Sequence, residues 1–318
     1  MKGRHRITVY NARLRYEFEI KRNITMIQGD SGTGKTTLIA MLRLWENLGE
    51  GSGVDLVCDV PVTVLEGNRW LSQIREIHQS IVFIDEENSF IRSYDFAREV
   101  QNSSNYYVLM TRESLPFLPY SVEEIYGIHT SGKYHDTKQT YQMLHHIYPI
   151  AEMLPLRKPD VILTEDSHAG FAFFLSVAKD MHASCLSKSG KSRIIDALKQ
   201  IEGEIIVVAD GAAIGPEMNR LSEYVKGHPN VHLYLPESFE WLFLKSGIID
   251  GKRIQMILDA SADYIDSKRY FSWEQFFTEL LIAETKDTVF HYKKEELNPA
   301  YLHGKYKNEI MKVINWIH

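Results

Sequence analysis

A glycine-rich stretch at positions 29–36 restricts the fold of this chain more than any other feature. Its sequence, GDSGTGKT, fills the pattern G-x-x-x-x-G-K-[ST], and it lies between an apolar run at 24–27 and a helix-like run at 37–45. Strand, glycine loop and helix in this order form the context in which the pattern binds phosphate. An α/β domain is therefore predicted, with a phosphate site at the carboxyl end of a strand.

The residue types in this loop suit that chemistry. Glycine accepts the positive φ angles that let backbone N–H groups converge on phosphate oxygens, and the dipole of the following helix adds positive charge. We expect Lys35 to reach the β- and γ-phosphates and Thr36 to bind Mg²⁺. The predicted nucleotide-binding residues are Gly29, Asp30, Ser31, Gly32, Thr33, Gly34, Lys35, Thr36 and Thr37.

Length and composition indicate a folded chain of about two domains. Hydrophobic residues make up 44% of the 318 residues and charged residues 25%, and no apolar run approaches the roughly 20 residues of a membrane span. Cys58 and Cys185 are the only cysteines, so we expect a reducing cytoplasm and neither a disulfide framework nor a thiolate metal site.

The net charge of -6 argues against a protein that coats nucleic acid through bulk charge, although it leaves a local basic groove open. Basic residues are concentrated at 2–22 and at 188–199. We interpret both clusters as solvated faces in preference to nucleic-acid contacts.

Two acids about 50 residues downstream of Lys35 are predicted to complete the nucleotide site. Asp85 follows the apolar run 81–84, and an acid at the end of a central strand can face the Mg²⁺ held by Thr36. Glu86 comes next and is the predicted residue for polarising the attacking water, with Glu87 as its rival.

Polar residues also end the next predicted strand, at 106–110. Thr111 and Arg112 follow this strand as candidate catalytic residues, and Arg112 is a candidate for an arginine that stabilises phosphate charge. Arg92 and Arg98 are further candidates for an arginine that stabilises charge, from this chain or from a neighbouring subunit.

With these motifs in place, residues 1–150 resemble the P-loop NTPases, with Walker A at 29–36 and Walker B at Asp85. The hairpin predicted within 5–20 resembles that of ABC- and RecF-type ATPases. The short interval before Asp85 and the lack of an LSGGQ-like signature are more similar to a minimal AAA-like ATPase, in which a residue placed like Thr111 is a sensor. The resemblance implies ATP and Mg²⁺ as ligands and Glu86 as the hydrolytic residue.

A proline-punctuated segment at 148–159 predicts a linker, which divides the chain into domains at 1–150 and 160–318. Runs at 161–164 and 205–209 read as strands that alternate with helices, and this alternation predicts a parallel sheet. Helices are predicted to dominate after about residue 238.

Residues 160–245 resemble the TOPRIM domain of topoisomerases, primases and OLD-family nucleases, and the order of ATPase before TOPRIM matches the OLD family. Glu165-Asp166 follows the first strand, where that family has a catalytic glutamate. Asp210 stands at its D-x-D pair, 189–192 resembles its small-residue turn, and Glu240 is a late acid. The resemblance implies Mg²⁺ or Mn²⁺ bound by Glu165, Asp210 and Glu240.

Two departures from that family leave the function of the second domain open, because Ala169 and Ala212 take the places of two expected acids. One interpretation is an ATPase whose cycle gates a domain that acts on nucleic acid, as in defence or mobile-element proteins. Another is a nucleotide switch that recruits a protein or nucleic-acid partner without catalysis. A small-molecule kinase is disfavoured by Glu86 and by the lack of an evident lid, and the oligomeric state is left open.

The sequence does not predict a metal site formed by histidines. His145 and His146 form the only adjacent pair, and neighbours on a strand point to opposite faces, so the two are not expected to bind one ion together.

Overall fold

The computed structural model describes residues 1–29, 32–131, 138–148, 158–187 and 190–314, apart from the side chain of Ser192. These residues form two compact units, the first made of Met1–Tyr148 and Ala260–Ser272 and the second of Pro149–Asp259 and Trp273–His318. The predicted linker lies largely outside the described residues. The segment Ala260–Ser272 belongs to the first unit. The sequence does not predict this return, because the linker by itself indicates a single division of the chain.

Helices and strands alternate along both units, which confirms the predicted α/β class. The helices described are α1 Lys35–Leu48, α2 Trp70–Glu76, α3 Tyr94–Gln101, α4 Ala169–Met181, α5 Ile194–Leu198, α6 Met218–Gly227, α7 Phe239–Lys245, α8 Lys252–Asp259, α9 Ser261–Tyr264, α10 Trp273–Thr285 and α11 Gly304–Ile314. None of them has the length and apolarity needed to cross a membrane.

A mixed sheet of nine strands forms the base of the first unit among the described residues. Its strands are β1 His5–Tyr10, β2 Leu14–Ile20, β3 Ile24–Ile27, β4 Asp55–Val57, β5 Val62–Val64, β6 Ile81–Ile84, β7 Tyr106–Met110, β8 Ile125–Thr130 and β9 Thr140–His146. They lie in the order β4-β1-β2-β9-β8-β3-β7-β6-β5. The block β8-β3-β7-β6-β5 is parallel throughout, so the carboxyl ends of its strands share one edge.

The core of this unit holds α1 against the sheet. Leu38, Ile39 and Leu42 are buried, and their spacing places them on one face of the helix. They pack with inward-facing residues of the opening hairpin, including Ile7 and Phe18. The hairpin is antiparallel, as the sequence predicts, and the packing fixes the start of α1 at the carboxyl end of β3.

The second unit contains a four-stranded sheet in which every neighbouring pair is parallel, as predicted. Its strands are β10 Val161–Thr164, β11 Ser184–Ser187, β12 Ile205–Val208 and β13 Val231–Tyr234, in the order β11-β10-β12-β13. β11 lies on one side of β10, and β12, the next strand in the sequence, lies on the other side. A crevice is expected between the ends of β10 and β12, because the strand order reverses there.

Candidate functional site

The glycine-rich loop follows β3 directly, and its described part has the backbone that a phosphate-binding loop requires. Gly29, Gly32 and Gly34 have φ angles of 140°, 86° and 96°, which lie in the region that glycine adopts without strain. Asp30 and Ser31 fall outside the described residues. The predicted positive-φ glycines are therefore present where β3 passes into α1.

Gly34 is fixed by its neighbours as well as by its φ angle. The Tyr16 hydroxyl donates a hydrogen bond to the Gly34 carbonyl at 3.0 Å, and a Cβ at Gly34 would lie 3.0 Å from that same hydroxyl. The Leu38 N–H also donates to the Gly34 carbonyl, at 3.0 Å. These contacts fix Gly34 relative to the opening hairpin and to the first turn of α1.

Lys35 begins α1, and its side chain is 5% exposed. Its ammonium donates a hydrogen bond to the Gly29 carbonyl at the start of the loop. The positive charge therefore lies inside the loop that the glycines form. An anion that enters the loop would meet both the backbone N–H groups and this ammonium.

A cleft of about 180 Å³ opens over the loop and α1. Its lining comes from three parts of the chain that are distant in sequence: Gly32, Thr33, Gly34, Lys35, Thr36, Thr37, Glu86 and Arg112. All eight residues were named from the sequence. Six come from the loop and the start of α1, Glu86 follows β6, and Arg112 follows β7.

Strand order explains why these residues converge. β7 lies between β3 and β6, with Met110 opposite Ile27 and Leu109 opposite Ile84. The ends of β3 and β6 are therefore two strand spacings apart, about 10 Å. Glu86 and Arg112 line the cleft, whereas Asp85 is buried at the end of β6 and is not among the lining residues.

The acids after β6 differ in their surroundings. Asp85 is 4% exposed, and its Oδ1 accepts the Glu86 N–H at 2.7 Å, which fixes the turn that leads out of the strand. Glu86 is half-buried and lines the cleft, whereas Glu87 is exposed and does not line it. Of the two rival glutamates, Glu86 is the one that lies beside the loop.

Thr111 and Arg112 are also distinguished by their contacts. Thr111 is fully buried, and its hydroxyl accepts the Glu113 N–H at 3.0 Å and donates to the Glu113 carbonyl at 3.1 Å. The hydroxyl thus stabilises the turn after β7. Arg112 reaches the cleft instead, and its Nε donates to Glu86 Oε1 at 3.1 Å.

The other arginines named from the sequence form ion pairs away from this lining. Arg92 pairs with Glu113 at 2.9 Å and Arg98 with Asp95 at 3.1 Å. In the basic stretch at the beginning of the chain, Arg15 pairs with Glu17 at 3.3 Å, and Arg6 pairs with the same glutamate. These exposed and half-buried ion pairs support the interpretation of that stretch as a solvated face.

In the second unit, acids from two strand ends meet at the expected crevice. Glu165 follows β10, and its N–H donates to the Val208 carbonyl at 2.9 Å. Asp210 lies just beyond β12, and its Oδ1 accepts the Phe239 N–H at 3.1 Å. Asp166 has a different role, because its carboxylate accepts the N–H groups of His168 and Gly170 at 2.9 and 2.6 Å and so caps the start of α4.

Two charged residues that the sequence did not assign to this site act electrostatically on Asp210. Glu274 on α10 and Lys294 form an ion pair with an Nζ–Oε1 distance of 2.6 Å, and both act electrostatically on Asp210. Glu240, the late acid of the prediction, accepts a hydrogen bond from the Tyr292 hydroxyl at 2.8 Å. Glu165 and Asp210 line the crevice, and the charges of Glu240, Glu274 and Lys294 act on Asp210 as well. We call these five residues, Glu165, Asp210, Glu240, Glu274 and Lys294, the carboxylate cluster.

Burial dominates the electrostatics of the cluster. It raises the pKa of Asp210 well above its ordinary value, and the charges of Glu274 and Glu165 add to this effect. Burial likewise raises the pKa values of Glu165 and Glu240. Burial by itself would lower the pKa of Lys294, but the carboxylates of Glu274 and Glu240 raise it, so the lysine carries a fixed positive charge.

The crevice beside Glu165 and Asp210 encloses about 20 Å³, room for a single water molecule. Glu165 Oε2 is buried there and has no hydrogen-bond partner among the described residues. In the same part of the chain, no group of three or more His, Cys, Asp or Glu side chains is arranged to hold a metal ion. Metal binding by Glu165, Asp210 and Glu240 thus stays a prediction from the resemblance.

The segment 189–192 is described from Gly190 onward. The Lys191 ammonium in it donates to the Ala213 carbonyl at 2.8 Å. This contact ties the turn to the segment that follows Asp210.

The raised pKa of Asp210 predicts how Asp210→Asn changes stability. Above the ordinary value of 3.8, the folded state keeps a proton that the unfolded state has lost, so the free energy of unfolding of the wild type falls as pH rises. Asparagine retains the acceptor for Phe239 and carries no charge. The melting temperature of the variant should therefore exceed that of the wild type by a margin that widens with pH, about 2–4 °C per kcal/mol regained.

Thermal unfolding between pH 4 and 8 in the presence of EDTA measures this margin. Asp196→Asn, which changes an exposed acid on α5, is the matched control and should follow the wild type. Parallel profiles for wild type and Asp210→Asn would contradict the prediction.

Comparison with known proteins gives no family assignment for this chain. No protein-family model matches the sequence, and no curated protein is significantly similar to it. The functional proposal therefore depends on the residues of the two units.

Proposed function

We propose that the first unit binds ATP with Mg²⁺ and hydrolyses it. The observation that carries this proposal is the shared cleft, in which the glycine-rich loop, Glu86 and Arg112 line one space. The burial of Asp85 at the end of β6 and the ammonium of Lys35 inside the loop support it.

Each residue has a distinct role in this proposal. The N–H groups of the loop and the Lys35 ammonium bind the β- and γ-phosphates. Mg²⁺, when bound by Thr36 and Asp85, neutralises phosphate charge. Glu86 accepts a hydrogen bond from the attacking water and orients it towards the γ-phosphorus, and Arg112 stabilises the charge on the γ-phosphate oxygens.

Arg112 takes the sensor role that the sequence also offered to Thr111. The Thr111 hydroxyl has both its bonds to Glu113, and breaking them would open the turn after β7. The ion pair of Arg112 with Glu86 is half-exposed and is worth about 0–1 kcal/mol at such a site. A γ-phosphate offers the guanidinium a stronger, charge-assisted bond of about 1.5–3 kcal/mol, so Arg112 turns to it when ATP binds.

Arg112→Ala is therefore expected to reduce the preference for ATP over ADP by roughly tenfold, the equivalent of about 1.4 kcal/mol. ADP affinity should change little, because ADP lacks the γ-phosphate. Calorimetry with a non-hydrolysable ATP analogue and with ADP measures both affinities. Arg98→Ala, an exposed arginine outside the cleft, is the control, and equal losses for the two nucleotides would remove this role.

For the second unit we propose a TOPRIM-like fold that responds to the nucleotide cycle and recruits a partner. Ala169 and Ala212 are buried at positions where the resemblance expects acids, and Lys294 brings a fixed positive charge into the carboxylate cluster. Both observations favour a binding role over cleavage of nucleic acid. Nuclease chemistry is the alternative, since Glu165, Asp210 and Glu240 are retained.

One assay separates these functions. The purified chain is incubated with ATP, plasmid DNA and either Mg²⁺ or Mn²⁺. Release of free phosphate with intact DNA under both metals is the expected result. Cleavage that Asp210→Asn abolishes would establish the nuclease instead, and phosphate transferred to an added metabolite would indicate a kinase. No turnover and no heat of ATP binding would refute the proposal for the first unit.

A further inference from the structure

A pair of histidines lies across the β8–β9 hairpin, outside both sites described above. The Nδ1 atoms of His129 and His145 form a hydrogen bond at 3.1 Å, with ring centroids separated by 4.9 Å and planes inclined by 77°. Both side chains are exposed, and a metal ion bound by both nitrogens would take the place of the shared proton.

The register of the hairpin produces this pair. Gly127 is opposite His145, and His129 is opposite Met143. Residues two apart share a face of a strand, which places both imidazoles and the Met143 thioether on the same face. A Cβ at Gly127 would lie 2.5 Å from the His145 ring, so the glycine leaves the space that this ring occupies.

The separation of the two nitrogens matches that of two imidazoles bound to one metal ion. Bonds of about 2.0–2.1 Å to the ion place two nitrogens about 2.9 Å apart at a right angle and about 3.3 Å apart at a tetrahedral angle. The observed 3.1 Å lies between these values. Imidazole suits zinc and copper, and a neighbouring thioether favours the softer ions over Mg²⁺.

We propose that His129 and His145 form a binding site for a late first-row transition-metal ion, such as Zn²⁺ or Cu²⁺, with solvent completing the coordination. The ion joins β8 to β9 at this point. β8 is also bonded to the segment that leads into the glycine-rich loop, through the Gln28 N–H and the Tyr126 carbonyl at 2.7 Å. The site thus lies one strand away from β3.

Titration of the full chain with Zn²⁺, and separately with Cu²⁺, tests this site by calorimetry in nucleotide-free buffer. We expect one equivalent to bind, with His129→Ala and His145→Ala each lowering the affinity at least tenfold and an excess of Mg²⁺ leaving it unchanged. His146→Ala is the matched control, because His146 is on the opposite face beside Tyr126, and it should bind as the wild type does.

Thermal unfolding provides a second measurement that does not depend on the heat signal. Zn²⁺ should raise the melting temperature of the wild type and of His146→Ala, because an ion bound only by the folded state stabilises it. It should not raise that of His129→Ala. Wild-type affinity in both the His129 and His145 variants, or an equal loss in His146→Ala, would overturn the proposal.

Discussion

Replacement of Lys35 by alanine should weaken ATP binding by roughly 10- to 100-fold. The ammonium lies inside the glycine-rich loop and is almost fully buried. Its contacts with phosphate are charge-assisted and worth about 1.5–3 kcal/mol, and each 1.4 kcal/mol corresponds to about a factor of ten. Calorimetry with Mg²⁺ and a non-hydrolysable ATP analogue measures the loss.

A lysine outside the cleft provides the control for this variant. Lys199 forms an exposed ion pair with Asp196, so Lys199→Ala removes the same charge without touching the loop. It should bind the analogue as the wild type does. If the affinity of Lys35→Ala for the ATP analogue is within about twofold of that of the wild type while both proteins remain folded, Lys35 does not bind phosphate as we propose.

Replacement of Glu86 by glutamine should slow ATP turnover by about 10²- to 10⁴-fold, the usual contribution of a positioned acid–base group, with little loss of binding. Glutamine keeps the size and hydrogen-bonding reach of the side chain, but it cannot accept a proton from water. It also forms a weaker bond with Arg112, so the ATP analogue should bind at least as tightly as to the wild type. Phosphate release and calorimetry measure the two effects separately.

The adjacent glutamate offers a closely matched control. Glu87 is exposed and does not line the cleft, so Glu87→Gln should leave turnover nearly unchanged. A large loss in Glu87→Gln, with near-normal turnover in Glu86→Gln, would reverse the assignment of the two residues.

Local patterns predicted the elements that position the candidate nucleotide site. The apolar run 24–27 forms β3, and the glycines after it have the positive φ angles that the motif requires. Asp85 follows β6 directly. The run 81–84 that forms this strand is short and fully buried, so its end can be recognised in the sequence. In such cases the residues that decide the structure are neighbours in sequence, so the pattern can be read without coordinates.

Other features depend on contacts between distant parts of the chain. Glu274 and Lys294 join the carboxylate cluster from the helical region, and no local pattern points to either. The preference for Arg112 over Thr111 follows from two hydrogen bonds in one turn. The pairing of His129 with His145 depends on hairpin register, which adjacent histidines in the sequence do not reveal.

The short strand β11 shows a further limit. Its sequence is SCLS, with a serine at each end, and it carries neither the apolar run nor the β-branched residues that mark a strand. Pairing with β10 creates it, so its presence follows from the sheet and not from its own composition.

The return of Ala260–Ser272 to the first unit has a consequence for synthesis on the ribosome. The Ala262 carbonyl accepts the Gly3 N–H at 2.8 Å, and the Phe271 carbonyl accepts the Asn23 amide at 2.7 Å. The nascent domain cannot make these bonds until more than a hundred intervening residues have left the exit tunnel. Completion of the first unit therefore has to wait for translation of most of the second unit.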